Sequence, residues 1–161
     1  MSVFKTTFSR ALRAHPSDNA NIAYPNSIES GTSTTVSTGK LIDSTGLFLT
    51  NNVKTGDIVH NDTDETAATV VSVDSEIQLT LNANIFTATA KVYNVYEASS
   101  QSGLGNQGCF LYVGGTGSVS VVTIGNDIAT FFAVPAGTTL PIQVLKLRST
   151  STTATNIVAL W

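Results

Sequence analysis

From residue 109 onward, short apolar blocks alternate with glycine-rich or polar breaks. The blocks are 109–115, 117–123, 128–134, 140–147 and 152–161, and they are rich in valine, isoleucine, threonine, phenylalanine and tyrosine. Such residues suit a pleated, half-buried surface, so each block reads as a strand. The breaks are Gly114-Gly115-Thr116-Gly117, Gly125-Asn126-Asp127 and Val134-Pro135-Ala136-Gly137. Glycine and asparagine supply the positive φ that hairpin turns need, and proline presets φ near −65°. In the fourth block Leu140, Ile142 and Val144 alternate, and the apolar positions then move to Leu145 and Leu147. That change of face predicts a bulge near Val144 and Leu145. Residues 109–161 therefore predict an antiparallel β-sandwich of jelly-roll-like form.

Residues 31–97 carry a second strand pattern. Ser30 to Thr35 reads as a polar lead-in, followed by Lys40-Leu41-Ile42, a turn at Gly46-Leu47-Phe48, and Val53 to His60 with a Gly56-Asp57 turn. Ala67 to Val73 alternates, and Asp74-Ser75-Glu76 turns the chain into Ile77, Leu79 and Leu81, which share one face at strand period. Lys91 to Tyr96 closes the set. Short strands of this kind predict a small, partly open barrel of SH3- or OB-like type. Residues 98–108, rich in Gly, Ser and Gln, read as a linker. Residues 1–30 read as an arm. His15-Pro16 stops any helix because the residue before proline avoids the α region. Pro16 to Asn19 is turn chemistry, and Asn21 to Tyr24 predicts a brief strand. An extended arm that crosses other elements fits residues 1–30 better than a separate domain.

Composition changes this picture in one respect. Charged residues are 12% of the chain, about half the usual ~25%, while apolar residues are 42%. Ser, Thr, Asn and Gly replace the missing charge, and a surface poor in Lys and Glu is cheap to desolvate against a neighbour. The net charge of −3 and the lack of a basic patch with interleaved aromatics argue against a nucleic-acid partner. No apolar run is long enough to span a membrane, and the first residues lack the apolar stretch of a secretory signal, so synthesis in a cytoplasm is expected. Lone Cys109, among apolar neighbours, reads as a buried thiol.

Candidate chemistry is sparse. Gly114 to Ser118 lacks the Gly-Lys-Ser/Thr ending of a phosphate loop and leads into a strand, so it reads as a hairpin turn. Asp57, Asp62, Asp64 and Glu65 lack the glycine and distal glutamate of a calcium loop. His15 and His60 stand far apart in different units, each without the second His or Cys that a metal needs at short spacing. No nucleophile elbow is present. The expectation is a non-enzyme without catalytic residues, cofactor or metal site. Tyr93, Tyr96, Tyr112 and Trp161 could line a sugar groove, but aromatics at strand positions more often serve core or interface.

Two separated pieces together resemble one family. His15-Pro16-Ser17-Asp18-Asn19-Ala20-Asn21-Ile22 is similar to the Pro-Ser-Asp segment of small spike-base proteins of tailed phages and gene transfer agents, and Leu111-Tyr112-Val113-Gly114-Gly115 to the strand that closely follows it there. Gly117 to Val121, Phe132 to Gly137, Leu140 to Val144 and Thr152 to Trp161 continue the likeness; residues 26–107 lie where that family has only a few residues, so the resemblance implies that segment 15–24 packs with the C-terminal module and that the 31–97 barrel is an insert between them. The resemblance implies a virion structural protein, a capsid decoration, cement or spike-base subunit. It would act as a symmetric homo-oligomer on the head, with the major capsid protein or other virion proteins as partners. A tail or neck protein, or a host-surface carbohydrate-binding module, is the alternative. Lys5, Arg10 and Arg13 are expected to meet an acidic capsid surface, and Phe110, Tyr112, Phe131, Phe132 and Trp161 to anchor core or interface.

Overall fold

The computed structural model describes residues 7–98 and 107–161. Alternation and turn chemistry produce twelve strands among them: β1 (Ala11–Arg13), β2 (Ser27–Thr32), β3 (Lys40–Ile42), β4 (Ile58–Asn61), β5 (Thr66–Ser75), β6 (Gln78–Leu81), β7 (Val92–Tyr96), β8 (Cys109–Gly115), β9 (Gly117–Thr123), β10 (Ile128–Val134), β11 (Thr138–Leu147) and β12 (Thr155–Leu160). They form two antiparallel sheets, in the orders β1-β12-β8-β11-β9-β10 and β2-β7-β4-β5-β6-β3. The protein is all-β, a sandwich with a barrel-like part. No helix of the described residues is long and apolar enough to cross a membrane.

The first sheet is bent hard by its own connectivity. β8 and β9 flank β11 on opposite sides, yet only Thr116 separates them in sequence. Two strands either side of a third lie about 9–10 Å apart in a flat sheet, whereas two Cα steps span at most about 7.6 Å. The sheet therefore rolls over its core of Leu111, Val113, Val119, Val121, Val144 and Leu147, all at most 1% exposed. The hairpin expected at Gly114 to Gly117 is not formed, and none of these glycines has positive φ. They are small because the chain crosses closely here: a Cβ on Gly114 would lie 2.6 Å from the Asn156 carbonyl oxygen. At the β9–β10 turn Asn126 supplies the positive φ (67°), and Gly137 does so before β11 (86°). Against β9, Val144 pairs with Thr123 and Lys146 with Val122, so Leu145 is the extra residue of a bulge, where the apolar positions change face.

The second sheet curls until its edges meet. Thr35, just past β2, bridges Ile42 at the end of β3, and the Thr34 N–H donates to the Ile42 carbonyl at 2.8 Å. Its core is more aromatic: Phe48, Phe86 and Tyr93 are fully buried with Leu41, Leu79 and Val95. The Ser30–Thr35 lead-in is largely strand, since β2 pairs with β7 from Ser27 to Thr32. Ile77, expected on the core face, sits in the β5–β6 turn and is exposed.

The arm runs between the two sheets. β1 pairs with β12, and the N–H groups of Ser17 and Ile22 donate to Leu147 and Leu145, each at 2.8 Å. Residues 21–24 form no strand. On its other flank the Ser17 hydroxyl donates to the Ala67 carbonyl (2.7 Å), and Asn19 accepts from Thr69 and Asn82. A small cluster of Ala20, Ala23, Ile58, Ala67 and Tyr96 packs this seam. Segment 15–24 thus touches residues of both sheets. Of the 98–108 linker, all but Ala98, Gln107 and Gly108 lie outside the described residues.

Candidate functional site

Strand alternation decides which side chains of the first sheet face outward. In β8, Cys109, Leu111 and Val113 point to the core, so Phe110 and Tyr112 point away; in β12, Ile157 and Ala159 are buried while Val158 and Leu160 face out. The register sets Phe110 opposite Leu160 and Tyr112 opposite Val158. Four outward apolar groups therefore stand as two adjacent cross-strand pairs. The ring of Phe8 reaches to 5.5 Å from that of Phe110. Beside Phe110, Ile124, Pro141 and Ile142 line an open groove of about 530 Å³.

A second apolar exposure lies at the far edge of the same sheet, with β11 and β9 between it and β8. β10 has a neighbour on one side only, and between Phe131 and Val134 its register against β9 slips by one residue. Ala133 takes a left-handed φ of 50° at the slip. Phe131 packs against the core, whereas Phe132 is 79% exposed and Ile128 65%. An edge strand with bare apolar side chains is a template for pairing or docking.

The other expected anchors have partners within the chain. Arg10 stacks on Tyr24, 5.1 Å from the ring centroid, and donates to its hydroxyl at 3.2 Å; Tyr24 in turn meets Trp161 edge-on at 5.6 Å. Arg13 pairs with Glu65 at 2.6 Å and donates to Asn156 at 3.2 Å. Lys5 lies outside the described residues. Tyr93 and Tyr96 are buried, so the sugar-groove arrangement that used them is corrected: Tyr93 instead donates to Asp43 at 2.9 Å. Cys109 is buried, and burial pushes its thiol up to about 12.

The four acids of the middle segment do not converge on one point. Asp57 accepts the N–H groups of Lys54 and Ala98, Asp64 pairs with Lys91 at 2.7 Å, and Glu65 takes Arg13. Burial raises the carboxyl of Asp57. Asp62 differs from the others because it faces histidine.

His15 and His60, 45 positions apart in sequence, are in ring contact at 4.5 Å, edge to face. This corrects the expectation that neither has a ligand-type neighbour. His15 Nε2 lies 2.9 Å from Asp62 Oδ1, and His60 Nδ1 lies 4.0 Å from the same oxygen. Asn94 Nδ2 donates to the other oxygen, Oδ2, at 2.7 Å. Both imidazoles are 3% exposed, and the carboxylate is 32% exposed. Burial, then the neighbouring His15, lowers His60 to about 3 against the pull of Asp62. Burial works to raise Asp62, but the bonds from His15 and Asn94 outweigh it and hold the carboxyl below its ordinary range. His60 at the end of β4 and Asp62 in the turn just after it, two positions apart, were a signal available in the sequence; the arrival of His15 depends on how the arm folds back.

The chain matches no protein-family model, no curated protein and no solved structure.

Proposed function

We propose that this chain is a non-enzymatic assembly subunit: a capsid-associated decoration, cement or spike-base protein of a tailed phage, acting as a symmetric homo-oligomer on the head. The observation that carries the assembly reading is the outward surface of the first sheet. Phe110, Tyr112, Val158 and Leu160 stand together, and Phe132 and Ile128 are bare on β10 at the other edge of the sheet. Residues 109–161 contain only three charged side chains, Asp127, Lys146 and Arg148. Burying such a face against copies of itself removes apolar area from water at about 25 cal/mol per Å² and desolvates few charges. The aromatic groups are of the type that dominates interface energetics. A surface that meets its own copy closes as a two-fold dimer, and one that meets a different surface of the next copy makes a ring where the rotation closes. The phage assignment rests on the likeness of the Pro-Ser-Asp arm and the Leu-Tyr-Val-Gly-Gly strand to spike-base proteins.

The purified chain is expected to sediment as a closed oligomer, and antibodies to it to label the heads of particles in lysates of its source. A strict monomer at high concentration, with heads unlabelled, would overturn both halves. Label confined to tails or necks would retain the assembly role and move its station.

A further inference from the structure

We infer that His15, His60 and Asp62 form a binding site for one divalent transition-metal ion of the zinc class, which clamps the N-terminal arm to the second sheet. One ligand atom from each residue lies within 4.8 Å of the other two. Zinc holds nitrogen and oxygen ligands at about 2.0–2.2 Å, so each atom needs to draw in by under about 1 Å. The atoms concerned are His15 Nε2, His60 Nδ1 and Asp62 Oδ1.

Three features of the surroundings favour a metal over a plain hydrogen-bonded cluster. First, hydrogen bonding alone serves the pair of imidazoles poorly. Asp62 Oδ1 bonds His15 Nε2 at 2.9 Å but at 4.0 Å lies too far from His60 Nδ1 to bond it as well. Second, both imidazoles are 3% exposed and meet ring to ring at 4.5 Å, so their nitrogens face one another and Asp62 away from bulk water. Third, Asn94 holds Asp62 Oδ2 and leaves Oδ1 turned toward the histidines, an orienting contact from outside the ligand set. The exposed flank of Asp62 leaves room for an approaching ion and for water as a further ligand. Two imidazoles and one carboxylate suit zinc, cobalt or nickel better than calcium or magnesium, which prefer all-oxygen sites. His15 belongs to the arm while His60 and Asp62 belong to β4 and the turn after it, so an ion here cross-links segments 45 residues or more apart.

The test uses the full chain without a histidine tag. His15 and His60 are its only histidines, so two-bond proton–nitrogen spectra report both imidazoles without ambiguity. Titration with Zn²⁺ is expected to shift both spin systems together and saturate at one equivalent. Zinc at about a hundred times the dissociation constant should raise the unfolding temperature by about 5–10 °C. Co²⁺ should give the visible spectrum of an imidazole-ligated ion, and Mg²⁺ and Ca²⁺ should do neither. Asp62→Asn, at a partly exposed position, is expected to weaken zinc binding by about 10–100-fold. Imidazole resonances unmoved by excess Zn²⁺ in the wild-type chain, or only one of the two moved, would overturn the proposal whatever the variant does. So would an unchanged zinc affinity in Asp62→Asn.

Discussion

The two sheets have cores of similar size but treat water differently. Residues 27–98 carry nine carboxylates and three lysines, whereas residues 109–161 carry one carboxylate and two basic groups. In the second sheet the charges are tied down locally. Asp74 takes Lys40 at 2.8 Å with Gln78, Ser72 and Thr80, Asp64 takes Lys91, and buried Asp43 takes Tyr93 and Thr45. Three of its exposed apolar groups, Leu47, Leu49 and Ile77, sit at turns around Glu76, which accepts the N–H groups of Leu49 and Thr50, while Val71 and Val92 are exposed singly on β5 and β7. The first sheet has few charges to tie down, and its outward positions on β8 and β12 are the apolar Phe110, Tyr112, Val158 and Leu160. The contrast teaches that one sheet meets water through paired charges and the other through apolar side chains with few charges near them, the difference on which the proposed assembly rests.

The largest expected effects lie in the cores. Leu147→Ala in the first sheet and Leu79→Ala in the second should each cost about 2–5 kcal/mol in urea unfolding, from lost burial plus the cavity left behind. Because the arm bonds to both sheets, either variant is expected to lower one shared transition. Two separate transitions, only one of which moves, would break the link between the sheets.

Smaller costs are expected at the buried polar pair of the second sheet. A Cβ on Gly31 would lie 2.5 Å from Asp43 Oδ2 and 2.8 Å from the Tyr93 hydroxyl. Gly31→Ala must push that pair apart, and Tyr93→Phe removes the donor from a buried carboxylate. Each should cost about 1–3 kcal/mol, read from the same melts. The pair lies within the second sheet's core, so these variants report on that sheet.

Acid should weaken the molecule chiefly through the same sheet. Bonds from Lys40, Gln78 and Ser72 hold the carboxyl of Asp74 well below the usual range. Burial works to raise Asp43, but the bonds from Thr45 and Tyr93 outweigh it and hold it low. In both cases the unfolded chain binds a proton near pH 4 that the folded chain still refuses. Their stabilising contribution is therefore full above about pH 4 and is lost as pH falls through the lower folded values. Asp74→Asn is expected to cost less than about 1 kcal/mol at neutral pH, since the pair is partly solvated, and nothing once the carboxyl is protonated. Urea midpoints of both proteins at pH 7 and near pH 2 check this; a gap that widens in acid would contradict it.

Much of the first sheet was legible because its strands alternate cleanly and its breaks are glycine, asparagine and proline. The inward set 109, 111 and 113 already placed Phe110 and Tyr112 on the opposite face. The order of the strands was not legible. Gly114 to Gly117 has the composition of a hairpin, but its glycines serve a close crossing with Asn156, a fact set by distant chain. β2 was hidden because Ser27 to Thr32 has little apolar alternation and is held by backbone pairing with β7. Ile77 fits a strand by period, yet the two-residue turn between Ser75 and Gln78 claims it. The meeting of His15 with His60 leaves no local trace, since it needs the arm to lie across β4.

The account stands most directly on particle mass after charge is placed on each sheet in turn. Tyr112→Lys and Phe132→Asp alter exposed positions of the first sheet, and Leu49→Asp alters an exposed turn of the second. All three are expected to change folding stability by less than about 0.5 kcal/mol. Mass photometry of the wild-type chain should show an oligomer, Tyr112→Lys and Phe132→Asp should shift it toward the monomer, and Leu49→Asp should leave it intact. A wild-type monomer, or an oligomer that only Leu49→Asp dissolves, would contradict the claim that the first sheet is the assembly surface.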